Sequence, residues 1–339
     1  MFLPWTTVVG FFIGTFIGSF LNVVIYRLPR GLSLVQPPSH CPNCSHRLGM
    51  LDLVPLFSFL FSGRRCRYCR RDVSWRYLWV ELITGGLWAA FWLQNLVGGP
   101  DPARFLLLAA FASVLVACIF IDIGFYVLPD SLNAWLLGLG LGYNAWLIAR
   151  VSDKAWTQVG SISLPSAVAG ALLGAGLFWG IALFGRVLFR KDALGHGDIK
   201  LARGIGAVLL PLVALVSFGL AVAVGAVLGA VQVVLRPRRE QENEGEEEEA
   251  YEPESLGSLL RCGLGYMLAV DVAALFVPRL ERWWFGAEEA EAAEDDWSPS
   301  LTTIPFGPYL AAGALVAALL EGPLVRLATD YWNWATGGL

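Results

Sequence analysis

The chain has 339 residues, of which 56% are hydrophobic and only 15% charged, and its net charge is −4. Soluble domains run nearer 45–50% apolar and roughly 25% charged, which excludes an ordinary soluble globular protein. The small net charge hides a segregation: arginines crowd an early loop and glutamates a late segment, and no basic stripe of the kind that binds nucleic acid stands apart from them.

The first apolar run extends from Trp5 to Tyr26, about the 20 residues that a bilayer crossing needs. Its positive charge, Arg27 and Arg30, follows the run instead of preceding it. That order argues against a cleavable signal peptide and predicts a span with an outside N-terminus and a cytoplasmic end at Arg27. Gly10, Gly14 and Gly18 share one face of this helix, a stripe suited to close helix packing.

Residues 28–77 are polar and irregular, with Arg47, Arg64, Arg65, Arg67, Arg70 and Arg71 opposed only by Asp52 and Asp72. A short basic loop beside a membrane span reads as cytoplasmic. Within it, Cys41-Pro42-Asn43-Cys44 and Cys66-Arg67-Tyr68-Cys69 form two CxxC pairs. Each pair can offer two thiolates from a tight turn, and two such turns complete a tetrahedral zinc shell. A closed four-sulfur shell leaves no position for water, so the metal expected here is structural. Cys118 and Cys262 lie in apolar runs and read as small buried hydrophobes.

Further spans are predicted at 78–97, 105–121, 131–148 and 165–189, and a last one at 309–327. The run from Ile199 to Leu235 is too long for one crossing, and Pro211 can divide it into a short helix and a full span. The predicted fold is therefore an all-α polytopic membrane protein of about eight transmembrane helices with a small cytoplasmic zinc-ribbon-like loop. Counting from an outside N-terminus, Arg186, Arg190 and Lys191 fall inside, as do Arg236, Arg238 and Arg239; Arg150 and Lys154 dissent mildly.

The domain boundaries that follow are 1–27 for the first transmembrane helix, 28–77 for the four-cysteine zinc-binding loop and 78–235 for a transmembrane core. An acidic insert follows at 236–303, then a final helix and tail at 304–339. The insert carries acidic runs at 240–249 and 288–296 around an apolar segment, Leu259 to Val277. Asp271 lies inside that segment with no evident partner, and an unpaired acid is costly in lipid. The segment is therefore expected at the cytoplasmic interface, or packed on the bundle, without crossing.

Two acids carry the chemistry. Asp122 ends the third apolar run, at the negative end of the helix macrodipole, so it is not there as a cap. Asp198 stands in Gly195-His196-Gly197-Asp198-Ile199-Lys200, where glycines permit a tight backbone and close approach of another chain. Both fall at cytoplasmic span ends by the topology count. Two carboxylates at a low-dielectric boundary cannot both ionise comfortably, so one keeps a proton and can polarise a carbonyl while the other activates water. The helix ends suggest Asp122 as acid and Asp198 as base, the proton being shared by the pair. Lys200 either holds Asp198 ionised or anchors the helix end. Asp130, after Pro129, reads as a helix start, and His196 as a solvated turn residue.

Together these residues resemble the prepilin peptidases, intramembrane aspartic proteases of the GxGD type. The strings that carry the likeness are Gly18-Ser19-Phe20-Leu21-Asn22 through Arg27-Leu28-Pro29, the CxxC pairs, and Arg76-Tyr77 with Val80-Glu81-Leu82. Ile121-Asp122, Leu128-Pro129-Asp130, Gly195 through Leu201 and Pro305-Phe306-Gly307-Pro308 complete them. The resemblance implies catalytic aspartates at Asp122 and Asp198, supported by Gly195, Gly197 and Lys200, and metal ligands at Cys41, Cys44, Cys66 and Cys69. It implies substrates that are type IV prepilin or pseudopilin precursors, cut on the cytoplasmic side of a bacterial inner membrane. It also implies methylation of the new N-terminus with S-adenosylmethionine, whose binding residues it does not assign. The membrane lipid is the other expected partner, and nucleic acid is not one. The rival classes are a transporter or assembly factor using the aspartates as a proton or cation relay, and a zinc-ribbon adaptor. The first expects internal inverted repeats, which the sequence does not display, and the second leaves the acids unexplained.

Overall fold

The computed structural model describes residues 3–190, 194–235, 255–285 and 305–335. Both acidic runs of the insert, together with Lys191 and the arginines at 236, 238 and 239, lie outside the described residues. The chain divides into two compact units, Met1–Pro129 and Asp130–Leu339.

The first unit holds α1 (Thr7–Arg27), the short α2 (Phe57–Phe61), α3 (Trp75–Trp92) and α4 (Pro102–Phe125). The helix starts follow capping chemistry: Ser74 accepts from the Arg76 N–H, and Asp101 from the Arg104 N–H with Pro102 in the first turn. The glycine stripe of α1 is its contact with α3. A Cβ at Gly14 would stand 2.6 Å from Trp88 Cβ and 2.9 Å from Gly85 Cα, and one at Gly18 would stand 2.8 Å from Glu81 Cα. The glycines thus let two backbones touch, as the stripe predicts. Trp88 and Trp92 extend the seam to α4, meeting Phe105 edge-on at 5.8 and 5.4 Å between centroids.

The second unit opens with α5 (Asp130–Ala149), then a hairpin of β1 (Trp156–Val159) and β2 (Ile162–Pro165), then α6 (Ser166–Phe189). The hairpin pairs Trp156 with Pro165 and Val159 with Ile162, and turns at Gly160, whose φ is +63°. It is a small departure from the all-α expectation, made where Trp156, Thr157 and Val159 suit a strand better than a helix. The long α7 (His196–Leu235) is divided as Pro211 predicts: Leu210, with φ 64° and ψ 167°, is non-helical. Its first half is the hub of the unit. It meets α6 where Gly170 touches Gly206 and Gly174 touches Ala202, and meets α5 through Gly140 on Ala207 and Leu136 on Gly204. Ile199, Leu201, Ala202, Ile205 and Val208 are almost wholly buried there. Beyond the break, Gly313 of α11 (Gly307–Leu319) packs on Ser217 and Ala221.

Between them lies the described part of the insert. It forms α8 (Leu256–Met267), α9 (Val270–Ala274) and α10 (Pro278–Trp284), of 12, 5 and 7 residues. None approaches the length of a crossing. The final span expected at 309–327 is also interrupted: α11 ends at Leu319 and α12 (Glu321–Ala335) leaves at 76°. Pro323 cannot donate the helical hydrogen bond that would continue α11, which explains the break.

Four helices among the described residues are long and apolar enough to cross a bilayer, or five if the bent pair counts as one. They are the helix around α1, then α4, α6 and α7. The difference from about eight has two causes. The helices α3 and α5 are 18 and 20 residues long, but Arg76 and Glu81 in one, and Asn133 and Asn144 in the other, dilute their apolar character, and α7 counts once although the sequence divides residues 199–235 into two.

Candidate active site and metal centre

The four paired cysteines come together. Their sulfurs all lie within 4.8 Å of one another, and the Cys41 and Cys69 sulfurs are 3.9 Å apart. Zinc–sulfur bonds of about 2.3 Å in a tetrahedron would set the sulfurs about 3.8 Å apart, so the donor set fits zinc. The two turns that present the sulfurs are built alike. Cys41 N–H donates to His46 O and Cys66 N–H to Arg71 O, while Ser45 N–H donates to Cys41 O and Arg70 N–H to Cys66 O. Leu48 N–H to Ser39 O and Val73 N–H to Arg64 O close the two loops at matching positions. Ser45 and Arg70, each just after the second cysteine of its pair, share a left-handed backbone with φ of 55° and 60°. Backbone groups of Cys69, then of Tyr68, lower the Cys66 thiol to about 7. Cys44 is pushed up to about 11: the His46 backbone contact lowers it, but desolvation and the Cys41 and Cys69 sulfurs outweigh that.

The few acids of the loop are used to brace it. Asp52 accepts from Gly49 N–H at 3.0 Å and Tyr68 Oη–H at 3.2 Å and pairs with Arg67 at 3.3 Å, and Asp72 pairs with Arg64 and Arg65. Glu81, buried in α3, accepts from Leu56 N–H at 2.8 Å and so ties the loop to the helices. Leu56 has φ 61°, an unusual backbone for leucine, held at this anchor. Arg27, buried at the end of α1, donates to Ser33 O and Pro37 O and turns the loop back beneath that helix.

Asp122 lies in the last turn of α4, buried at 5% exposure, and its carbonyl receives the Tyr126 N–H that closes the helix. Arg30, just past α1, lies over the Tyr26 and Phe125 rings at 4.2 and 4.7 Å. The arginine-bearing end of α1 and the Asp122 end of α4 are thus on the same side of the first unit. Asp198 stands in the first turn of α7, half-buried, its N–H donating to Gly195 O at 3.2 Å. The macrodipole favours a negative charge at that end. The two aspartates belong to different units, and each sits at the helix terminus expected for it.

Lys200 has a definite partner: its ammonium donates to both carboxylate oxygens of Asp130, at 2.8 and 3.0 Å. Asp130 is therefore more than a helix start. Asp271 also has a partner, contrary to the reading from sequence. Arg203 grips it with two parallel hydrogen bonds of 2.7 Å, the side chains being 2% and 5% exposed. His196 is not simply solvated either, since its ring meets Tyr266 of α8 edge-on at 5.7 Å. The signal that sequence reasoning passed over was Arg203 itself, a cation inside an apolar run, as costly alone as the acid inside the other.

Two sequence profiles match the chain: the Bacterial Peptidase A24 N-terminal domain over residues 12–95, and the Type IV leader peptidase family over residues 109–230. A prepilin leader peptidase/N-methyltransferase of Myxococcus xanthus is 33% identical over 352 residues, covering 100% of this chain and 97% of the relative. The chain belongs to the type IV leader peptidase family. Relatives of the same description from Aeromonas hydrophila and Neisseria gonorrhoeae are 35% and 31% identical, covering 69% and 63% of the chain and 84% and 79% of their own lengths. No solved structure matches the chain. In this type IV leader peptidase the first profile contains the whole cysteine cluster, and the second contains Asp122, Asp130, Asp198 and Lys200.

Proposed function

We propose that this type IV leader peptidase removes the leader of prepilin-like precursors and methylates the N-terminus it exposes. The observation that carries this reading is the likeness over the whole chain to a relative that bears both activities in its name. The catalytic pair is Asp122 and Asp198. Asp122, at the C-terminal end of α4, holds the proton and donates it toward the scissile carbonyl. Asp198, at the N-terminal end of α7, takes a proton from water, whose oxygen attacks that carbonyl. The C–N bond breaks as Asp198 passes its proton to the leaving amine and Asp122 recovers one from a hydroxyl of the diol, which becomes the new carboxyl group, so the pair returns to its starting state.

The substrate logic follows from the same helix ends. A prepilin has a basic leader in the cytoplasm and an apolar helix in the bilayer, and acids at span ends lie at that junction. The topology proposed is the eight-crossing one in a bacterial cytoplasmic membrane, with α3 and α5 crossing beside α1 and α7 and the site at the cytoplasmic face. The first, cysteine-bearing loop holds one zinc through Cys41, Cys44, Cys66 and Cys69. Zinc held there would neutralise four crowded sulfurs and fix the loop, a structural role apart from hydrolysis. S-adenosylmethionine, when bound, supplies the methyl group.

The test is leader removal by membranes carrying the wild type, Asp122→Asn or Asp198→Asn. Each substitution should abolish processing while the protein stays folded and inserted. Near-normal processing by either variant overturns the assignment of the pair.

A further inference from the structure

The three positions His196, Lys200 and Arg203 are spaced four and three apart, so they share one face of α7. The insert covers that face. Tyr266, 3% exposed, meets the His196 ring at 5.7 Å and lies under the Lys200 ammonium at 5.0 Å. Arg203 donates to the Tyr266 carbonyl at 2.6 Å while gripping Asp271. Asp198 is two residues from both His196 and Lys200, and so stands about 200° around the helix from them.

We infer that Tyr266 is a positioning residue of the peptidase: the insert clamps the back of the first turn of α7 and thereby holds the Asp198 carboxylate in place. This rests on the proposed role of Asp198. A first helical turn lacks intrahelical partners for its N–H groups, and here Gly195 precedes it and Gly197 lies within it, so it frays unless held from outside. The aromatic ring bridges the residues on either side of Asp198, and the Arg203–Asp271 pair fixes the segment that carries the ring. A misplacement of about 1 Å at a reacting group can cost 10²-fold in rate, so a clamp remote from the substrate has leverage on catalysis.

The test uses full-length protein in detergent, with Tyr266→Leu and Tyr266→Phe. The leucine variant should lose about tenfold or more in kcat for leader removal with KM little changed, and phenylalanine, which keeps the ring, should restore it. An independent readout comes from NMR of histidine-labelled protein, which has three histidines. In the wild type, the His196 ring should show a through-space contact to the Tyr266 ring, and its resonance should shift in Tyr266→Leu but not in Tyr266→Phe. A folded Tyr266→Leu protein with wild-type kcat overturns the inference, as does a wild type lacking the ring contact. If the wild type cleaves no prepilin yet shows the ring contact and its shift, the peptidase reading fails and the clamp stands.

Discussion

Replacing Asp271 by leucine tests how the insert is attached. The substitution leaves the Arg203 guanidinium, 2% exposed, without its counter-charge. Breaking one side of a buried, bidentate pair costs about 3–5 kcal/mol, because the remaining charge is left desolvated. At about 1.4 kcal/mol per decade, that is roughly a 10²- to 4 × 10³-fold rise in the population with α8 to α10 undocked. Replacing both partners, with Arg203→Met and Asp271→Leu, removes the stranded charge. The remaining loss is the hydrogen bond from Arg203 to the Tyr266 carbonyl, about 1–3 kcal/mol if that carbonyl stays buried. The double variant should therefore be more stable than the single one. Limited proteolysis of residues 255–285 in detergent reports the undocked population directly. A single variant cut no faster than wild type, or a double variant cut faster than the single, refutes the account of a charge-paired latch.

Asp130→Asn should weaken the Lys200 contact by up to about 1 kcal/mol, since the Asp130 side chain is 41% exposed, and cleavage should fall only several-fold. Cleavage lost as completely as in Asp198→Asn would show that Asp130 belongs to the reacting pair. Gly14→Leu should lower thermal stability by about 1–3 kcal/mol or more, because its Cβ would stand 2.6 Å from Trp88, whereas Gly142→Ala, with nothing within 4 Å, should not. Equal melting of the two would refute the α1–α3 seam. Purified, reduced protein should carry about one zinc per chain, and changing Cys41 and Cys44 together to serine should release it. Metal analysis finding no zinc in the wild type contradicts this. Accessibility tags near Gly257 and near Glu288 should both label from the cytoplasm, and labelling from opposite sides would make the insert a crossing.

What sequence could disclose here was whatever is written locally. The stripe of Gly10, Gly14 and Gly18, the break at Pro211 and each CxxC turn depend on residues a few positions apart, and two such turns in one short loop are a familiar pattern for one metal. Asp122 and Asp198 were legible as helix-end acids because an acid beside an apolar run is conspicuous. The partners of Asp130 and Asp271 were not, because Lys200 and Arg203 are 70 and 68 residues away and only the folded second unit brings them near. The course of the last span was hidden for a related reason. An apolar run gives a length of chain, but whether α11 continues past Leu319 depends on Pro323 and on the angle at which α12 departs. The hairpin at 156–165 escaped notice because four-residue strands carry too short a pattern to stand out from a loop.

The central claim is that one membrane protein cuts a prepilin at its leader junction and methylates the new end. Purified protein incubated with a prepilin and S-adenosylmethionine, followed by mass measurement of both fragments, tests it most directly. The account predicts an unmodified leader, a mature fragment heavier by one methyl group at its N-terminus, and neither fragment from Asp122→Asn or Asp198→Asn. An intact prepilin or an unmethylated mature fragment with the wild-type protein, or cleavage that survives either substitution, would contradict it.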